Sequence, residues 1–439
     1  MGLGKTLQVI AHLALEQANR RLGKPALVLC PTSLVEGWKL EVQRSAPQLR
    51  SLVYQGADRA RLLGDLGRNH LVICSYAVLL RDQAALSELS YSALVLDEAQ
   101  AFKNPDSQLH RALRLLHAEH RIALSGTPVE NRLEDLWAIF EIILPGLLGG
   151  RQRFEREQER PLSLFGDEGS SERLRRRIAP YFLRRVKQQV ASELPARSVV
   201  LRPVELLGKQ RELYEQIRAS AHEDVRRAIR EKGVHGSIMG ALAGLTRLRQ
   251  LCCDPQLLSM EAARFVRESA KRKLLMELLD EHLASGRRVL VFSQFARMLE
   301  LISRELATAE RAHLMLTGQT RDRQSLVDDF QAGRADVFLI SLKAGGAGLN
   351  LTRADTVILY EPWWNPAAEA QASDRAHRIG QSSPVLIQRL VVSGSIEEKM
   401  LELQQRKRWL ADQVVRAQEA KAAPWTPRDL EQLFAPLPT

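Results

Sequence analysis

The chain has 439 residues, of which 45% are hydrophobic, a length that suits two to three domains with sizeable buried cores. No apolar run approaches the ~18 to 20 residues that cross a bilayer, and the first residues lack a basic-then-apolar leader, so the chain reads as a cytoplasmic protein with no membrane partner. A net charge of +11 favours a polyanionic partner, because neutralised phosphates release counterions, and the four cysteines (Cys30, Cys74, Cys252, Cys253) form neither a disulfide framework nor a zinc-binding spacing.

The opening residues Met1-Gly2-Leu3-Gly4-Lys5-Thr6 read as the second half of a phosphate-binding loop that runs into a helix. Gly2 and Gly4 let backbone amides approach phosphate oxygens, Lys5 neutralises the β- and γ-phosphates of ATP, and Thr6 offers its hydroxyl to Mg²⁺. A plain helix cap is the competing reading. From Leu7 to Leu144 short apolar runs alternate with amphipathic helical stretches, the pattern of a parallel sheet covered by helices. Strands are predicted at Ala26–Cys30, Leu71–Cys74, Ala93–Leu96 and Arg121–Leu124, each ending in a polar or small-residue cluster. In open α/β sheets ligands sit beyond the carboxyl ends of the strands, so these clusters should converge on one edge.

Within that series, the apolar run Leu94–Leu96 ends in Asp97 and Glu98, the arrangement of a Walker B motif. Asp97 would hold the metal, and Glu98 would orient or deprotonate the attacking water. An acidic helix start is the bland alternative. Ser125-Gly126-Thr127-Pro128 adds two hydroxyls and a Pro-fixed turn at the same edge. After Pro145 the alternation stops, and residues 150–271 read as a charged helical insertion with a basic stretch at Arg173–Lys187 and helical patterns at Lys209–Lys232 and Ile238–Leu251.

Strand–helix alternation resumes at Arg288–Ser293, His313–Leu316, Asp336–Ser341, Thr356–Tyr360 and Val385–Val391. Beyond Ser341 a glycine-dense loop includes Gly346 and Gly348, which permit close backbone approach to a phosphate of nucleotide or DNA; a flexible loop is the alternative. On a predicted helix, Gln371, Asp374, Arg375 and Arg378 share one face and present two guanidinium groups. Such a face suits a γ-phosphate, where an arginine finger contributes factors of ~10³ to 10⁵, whereas a solvated charged helix is the reading if the segment stood alone. A last charged helix is predicted at Ile396–Ala420, before a loosely held Pro-containing tail.

Taken in order, these pieces resemble the Swi/Snf-related, DEAD/DEAH-box-like ATPases of helicase superfamily two. Motif I is similar to Gly2–Thr6, motif Ia to Cys30–Leu34 with Trp38 after it, motif Ib to Ser75-Tyr76, motif II to Asp97–Gln100, and motif III to Leu124–Pro128. Motif IV resembles Val289–Gln294, motif V Ser341–Leu351, motif VI Gln371–Gln381, and the run Tyr360–Pro366 is characteristic of the family. Gln100 stands where related helicases carry histidine. The resemblance implies an α/β fold of two RecA-like parallel-sheet lobes, 1–149 and 272–395, with a Swi/Snf-type helical insertion at 150–271 and a terminal helix and tail at 396–439.

It further implies ATP and Mg²⁺ as cofactors and double-stranded DNA as a sequence-nonspecific partner. Pro31, Thr32, Ser33, Ser75, Lys103, Gln294, Gln319, Thr320 and Ser341 would face nucleic acid and contact phosphates rather than bases, with strand-end turns as the alternative for each. The implied function is a DNA-dependent ATPase and duplex translocase that remodels protein–DNA, transcription or chromosome-associated complexes in a bacterial nucleoid. A hydrolysis-deficient nucleic-acid-binding fragment is the second reading, and a strand-separating helicase a third. Family members carry a glutamine-containing segment, a helix and a strand ahead of motif I, so a chain whose Met1 falls inside that loop reads as a fragment, or a misplaced start, of a longer protein.

Overall fold

Runs of Val, Leu, Ile and Ala build five parallel strands in the first half: β1 (Ala26–Cys30), β2 (Ser51–Tyr54), β3 (Leu71–Ser75), β4 (Ser90–Asp97) and β5 (His117–Leu124), in the order β2-β3-β1-β4-β5. The computed structural model describes residues 3–126, 133–159, 168–183, 185, 194–206, 208–345, 349–364, 366–378, 380–402 and 433–437. Those residues form two units that divide on either side of residue 190. Every residue of β1 and β3 is buried, because helices cover both faces, and this is why these strands read as unbroken apolar runs.

On one face Val9, Ile10 and Leu13 of the helix Lys5–Ala18 pack with Trp38 and Val42 of the helix Val35–Ser45 against Val28 and Val95. On the other, Leu79, Leu113 and Ile142 cover Leu27, Leu29 and Leu96. The register pairs Cys30 with Ser75, Leu29 with Leu96, and Asp97 with Leu124. The carboxyl ends of β1, β3, β4 and β5 are therefore level, and the segment leaving each strand emerges at one edge. Sequence patterning places β1 and β3 well, starts β4 and β5 too late, and misses β2. β5 carries the exposed polar residues His117, Glu119 and His120, so its apolar signal covers only its last four residues.

The second unit holds β6 (Arg197–Val204), β7 (Val289–Ser293), β8 (His313–Leu316), β9 (Val337–Ser341), β10 (Thr356–Leu359) and β11 (Val385–Val392), all parallel, in the order β6-β11-β10-β7-β9-β8. Alternate residues of β7 face opposite layers: Val289 and Val291 meet Leu275, Leu279 and Ile302, while Leu290 and Phe292 meet Val327 and Phe330. β6 lies inside the stretch read from sequence as helical. It is a largely exposed edge strand containing Pro203, a residue that edges tolerate, and its polar, interrupted composition hides it. The two helical patterns after it run together as one helix of 46 residues, Gly208–Cys253. Its Tyr214, Leu245 and Leu248 form a core with Val392, Ile396 and Phe434. No described helix is long and apolar enough to cross a membrane. Residues 396–402 are helical, and the remainder of the predicted terminal helix lies outside the described residues.

Candidate nucleotide and nucleic-acid site

The first unit gathers its polar residues at the edge defined by the strand register. Gly4 has φ +70° and immediately precedes the helix Lys5–Ala18. A Cβ there would meet only Leu7 at 4.0 Å, so the left-handed backbone rather than crowding calls for glycine. Among the described residues no side chain caps this helix, which leaves first-turn amides of the kind that receive anions. Lys5 and Thr6 are half-buried there, and Gly2 lies outside the described residues.

Asp97 ends β4 with 6% exposure, its carboxylate held from two sides. The Trp38 indole N–H donates to Oδ2 at 2.9 Å, the Glu98 amide donates to Oδ1 at 2.9 Å, and the Tyr76 hydroxyl donates to the Asp97 carbonyl at 2.7 Å. Burial, then the neighbouring charge of Glu98, pushes the Asp97 carboxyl above its ordinary value, and the Trp38 hydrogen bond and the Lys5 charge act in the opposite sense. The charge of Lys5, far away in sequence, thus acts on the Asp97 carboxyl.

Glu98 adopts φ 53° and ψ 58°, a left-handed conformation that costs a non-glycine residue about 1–2 kcal/mol. The turn swings its carboxylate out of the strand line onto Gln100, whose Nε2 donates to Oε2 at 2.5 Å. Ser125 Oγ in turn donates to Gln100 Oε1 at 2.9 Å. A continuous chain Glu98–Gln100–Ser125 therefore joins the ends of β4 and β5. Sequence reading marks Gln100 only as a substitution for histidine and Trp38 only as a family landmark; neither carries a sequence signal for the partner it meets across the sheet edge. Thr127 and Pro128 lie outside the described residues.

The residues expected toward nucleic acid fall into two groups. Pro31, Thr32 and Ser33 form the turn after β1, with both hydroxyl-bearing residues exposed. Gln319 is exposed in the turn after β8, where the Thr317 amide donates to Thr320 Oγ1 at 3.0 Å, and Lys103 lies 3.9 Å from Asp135. Gln294 follows β7, and its Nε2 is buried without an acceptor among the described residues. Ser75 and Ser341 end β3 and β9. Both are buried, and each hydroxyl accepts an amide three residues on, from Val78 and Ala344 respectively, at 3.3 Å. They are strand-end helix caps, the bland reading of a serine at that position.

The arginine segment also differs from expectation. The helix Pro366–Ser373 stops before Asp374, and residues 374–378 continue as turns and bends, so the two arginines do not share a helix face. Gln371 sits half-buried on the helix, and Asp374 lies 3.7 Å from Arg197. Arg375 is buried, and its carbonyl accepts from the Leu351 amide at 3.2 Å. Arg378 is half-buried and donates from Nη1 to the Leu349 carbonyl at 3.2 Å. Buried Gln381 donates to the carbonyls of Thr352 and Ala354 at 3.0 and 2.8 Å. This lashes the arginine turn to the turn that precedes β10, while Gly346 and Gly348 themselves lie outside the described residues.

Level carboxyl edges of parallel sheets, with a helix start that follows a left-handed glycine and a buried Asp97 next to half-buried Glu98, define a two-sheet α/β protein of the helicase-like type. The SNF2-related domain model matches residues 1–257 and the helicase conserved C-terminal domain model matches residues 270–380, so the chain belongs to the SNF2-related family. It is similar to YwqA of Bacillus subtilis (strain 168), 36% identical over 99% of this chain and 48% of that protein. It is also similar to human chromodomain-helicase-DNA-binding protein 1, 34% identical over 93% of this chain and 25% of that protein. The chain thus spans about half, or less, of these relatives' length. Among solved structures, the Sulfolobus solfataricus SWI2/SNF2 ATPase core in complex with dsDNA is 32% identical, covering 99% of this chain and 91% of that one, with a TM-score of 0.45.

Proposed function

We propose that this chain is the motor core of a DNA-dependent ATPase that translocates on duplex DNA and remodels protein–DNA or transcription complexes. The observations that carry the reading are Lys5 at an uncapped helix start, and Asp97 with the Glu98–Gln100–Ser125 chain at the carboxyl edge of the first sheet. Lys5 and the uncapped first-turn amides bind the β- and γ-phosphates. Glu98, turned out of the strand, orients the attacking water and accepts its proton. Gln100 and Ser125 report the state of that carboxylate to the end of β5. In the second unit, Arg375 and Arg378 offer guanidinium charge to an anionic phosphate oxygen.

The Thr6 hydroxyl and Asp97 carboxylate are hard oxygen donors of the kind Mg²⁺ takes. Among the described residues no three His, Cys, Asp or Glu side chains gather into a protein-only metal site, which suits an ion whose other ligands are phosphate and water. Asp97, kept in place by Trp38 and the Glu98 amide, would anchor the ion, which when bound would neutralise phosphate charge. A net charge of +11 and the exposed hydroxyls of Thr32 and Ser33 support phosphate-directed, sequence-independent DNA contact. The human relative is itself named for both helicase and DNA-binding character.

Phosphate release by the whole protein, with and without duplex DNA, tests the reading. Turnover should rise with duplex, and Glu98→Gln should lower it by about 10² to 10⁴, the contribution of a positioned acid or base, while ATP binding is retained. DNA binding without phosphate release in the wild type would instead establish a hydrolysis-deficient nucleic-acid binder, and undiminished hydrolysis by Glu98→Gln would remove Glu98 from the reaction.

A further inference from the structure

The second unit buries a charged group that the nucleotide chemistry does not use. Glu361 follows β10 and is 1% exposed. The register of β10 with β7 sets it beside the end of β7, where the Gln294 amide donates to its Oε1 at 2.5 Å and the Ser293 hydroxyl to its Oε2 at 2.9 Å. The next residue, Pro362, accepts at its carbonyl from Arg249 Nη2 at 2.8 Å. Arg249, 3% exposed near the end of the 46-residue helix, places its guanidinium 6.0 Å from the Phe295 ring and 5.5 Å from the Trp364 ring. Glu361 and Pro362 therefore bind the long helix to the turn that carries Gln294.

We propose that Glu361 is a positioning residue whose buried carboxylate fixes the main chain of Gln294 in the orientation with which that turn contacts a DNA phosphate. The proposal rests on the DNA-tracking function proposed for the chain. Gln294 is half-buried at this turn, and its side-chain amide nitrogen has no acceptor among the described residues; a change of rotamer would present this donor to an oxygen of the phosphate backbone. The main-chain bond of the same residue determines where that donor points.

The charge on Glu361 works against the fold, which argues that it serves something else. Burial pushes its carboxyl from the ordinary 4.5 up to about 7, against the opposing pull of the Gln294 amide, then of Arg249 and Lys271. Cys253, which faces Oε2 at 3.9 Å, and Glu397, which is paired with Lys271, complete the ionisable surroundings. Because the folded state holds the Glu361 proton more tightly than the unfolded chain does, this group's contribution to stability falls as pH rises from about 4.5 to about 7, and the full penalty applies above that window. A glutamine of the same shape would escape the penalty. It would keep an oxygen for the Gln294 amide but give a neutral, weaker hydrogen bond and no counter-charge for Arg249.

The test compares Glu361→Gln with wild type in the whole protein at pH 8, by melting temperature and by anisotropy of a labelled blunt DNA duplex. The variant should melt at the same or a higher temperature yet bind duplex about tenfold more weakly, the loss expected of one charge-assisted hydrogen bond. In a Gln294→Ala background the same change should add nothing, since the two act through one contact. Unchanged affinity in Glu361→Gln, affinity and melting temperature falling in step, or full additivity with Gln294→Ala would each overturn the proposal. A wild type that binds no duplex would overturn the DNA reading itself, an outcome distinct from these.

Discussion

Asp97 shows how hydrogen-bond donors oppose the burial of an acid. Its carboxylate sits where burial and Glu98 both oppose ionisation, and the Trp38 indole, which donates but never accepts, rewards only the oxygen it meets at 2.9 Å. Trp38→Phe keeps the aromatic packing against Val42 and Val95 and removes that donor alone. The expected cost is about 1.5–3 kcal/mol, the range for a hydrogen bond to a charged group. Thermal unfolding should shift down accordingly, and the Mg²⁺ concentration that supports half-maximal nucleotide binding should rise, because the carboxylate is then free to turn away. A variant with unaltered melting and unaltered Mg²⁺ requirement would show that Asp97 holds its place without the indole. The left-handed backbone at Glu98 belongs to the same scale: a strained residue is kept where its side chain must leave the strand line.

Elements of the second unit are joined by a buried ion pair rather than by apolar contact alone. Lys271, in the helix Ala270–Ala284, and Glu397, just past β11, are fully buried and meet at 2.6 and 2.7 Å; the Val392 amide also donates to Glu397 at 3.0 Å. Burial alone would lower the Lys271 ammonium, yet Glu397 and the neighbouring cysteines hold it above its ordinary value. Lys271→Met should destabilise by about 3–5 kcal/mol because Glu397 is left charged and alone, and Lys271→Met with Glu397→Gln should recover much of that loss. Denaturant midpoints of the three proteins decide it; equal stability of the double and single variants would mean that packing, not charge, is what Lys271 supplies. These same elements show what a sequence tells and withholds. β1, β3, β7 and β9 are covered on both faces, so burial itself writes the apolar run. β2 and β6 are edge strands with one partner and partial exposure, and their composition carries no such mark. Lys5, Asp97 and Glu98 are legible because the proposed chemistry calls for those residue types, whereas Glu361 and Arg249 are legible only once β7, β10 and the long helix are seen together. Ser75 and Ser341 match family positions and also cap the backbone that follows their strands, so a local demand and the analogy fall on the same residues.

At the scale of the whole molecule, hydrolysis is tested most directly at the two arginines of the second unit, which differ in burial. Arg375 is buried and its backbone is bound to Leu351, so Arg375→Ala should lower stability as well as turnover, which mixes the two effects. Arg378 is only half-buried, with its Nη1 on the Leu349 carbonyl, so an anion can reach it from solvent. Arg378→Ala should therefore lower ATP turnover by about 10³ or more, as expected for an arginine finger, with melting temperature and duplex affinity close to wild type. Arg378→Lys keeps the charge but loses the planar fork and should restore little of the rate. Single-turnover hydrolysis beside duplex-binding isotherms separates the possibilities. Retained turnover in Arg378→Ala would remove this arginine from the reaction, while turnover and DNA affinity lost together would assign it to nucleic-acid contact, where its loss should also reduce the salt dependence of binding by about one counterion.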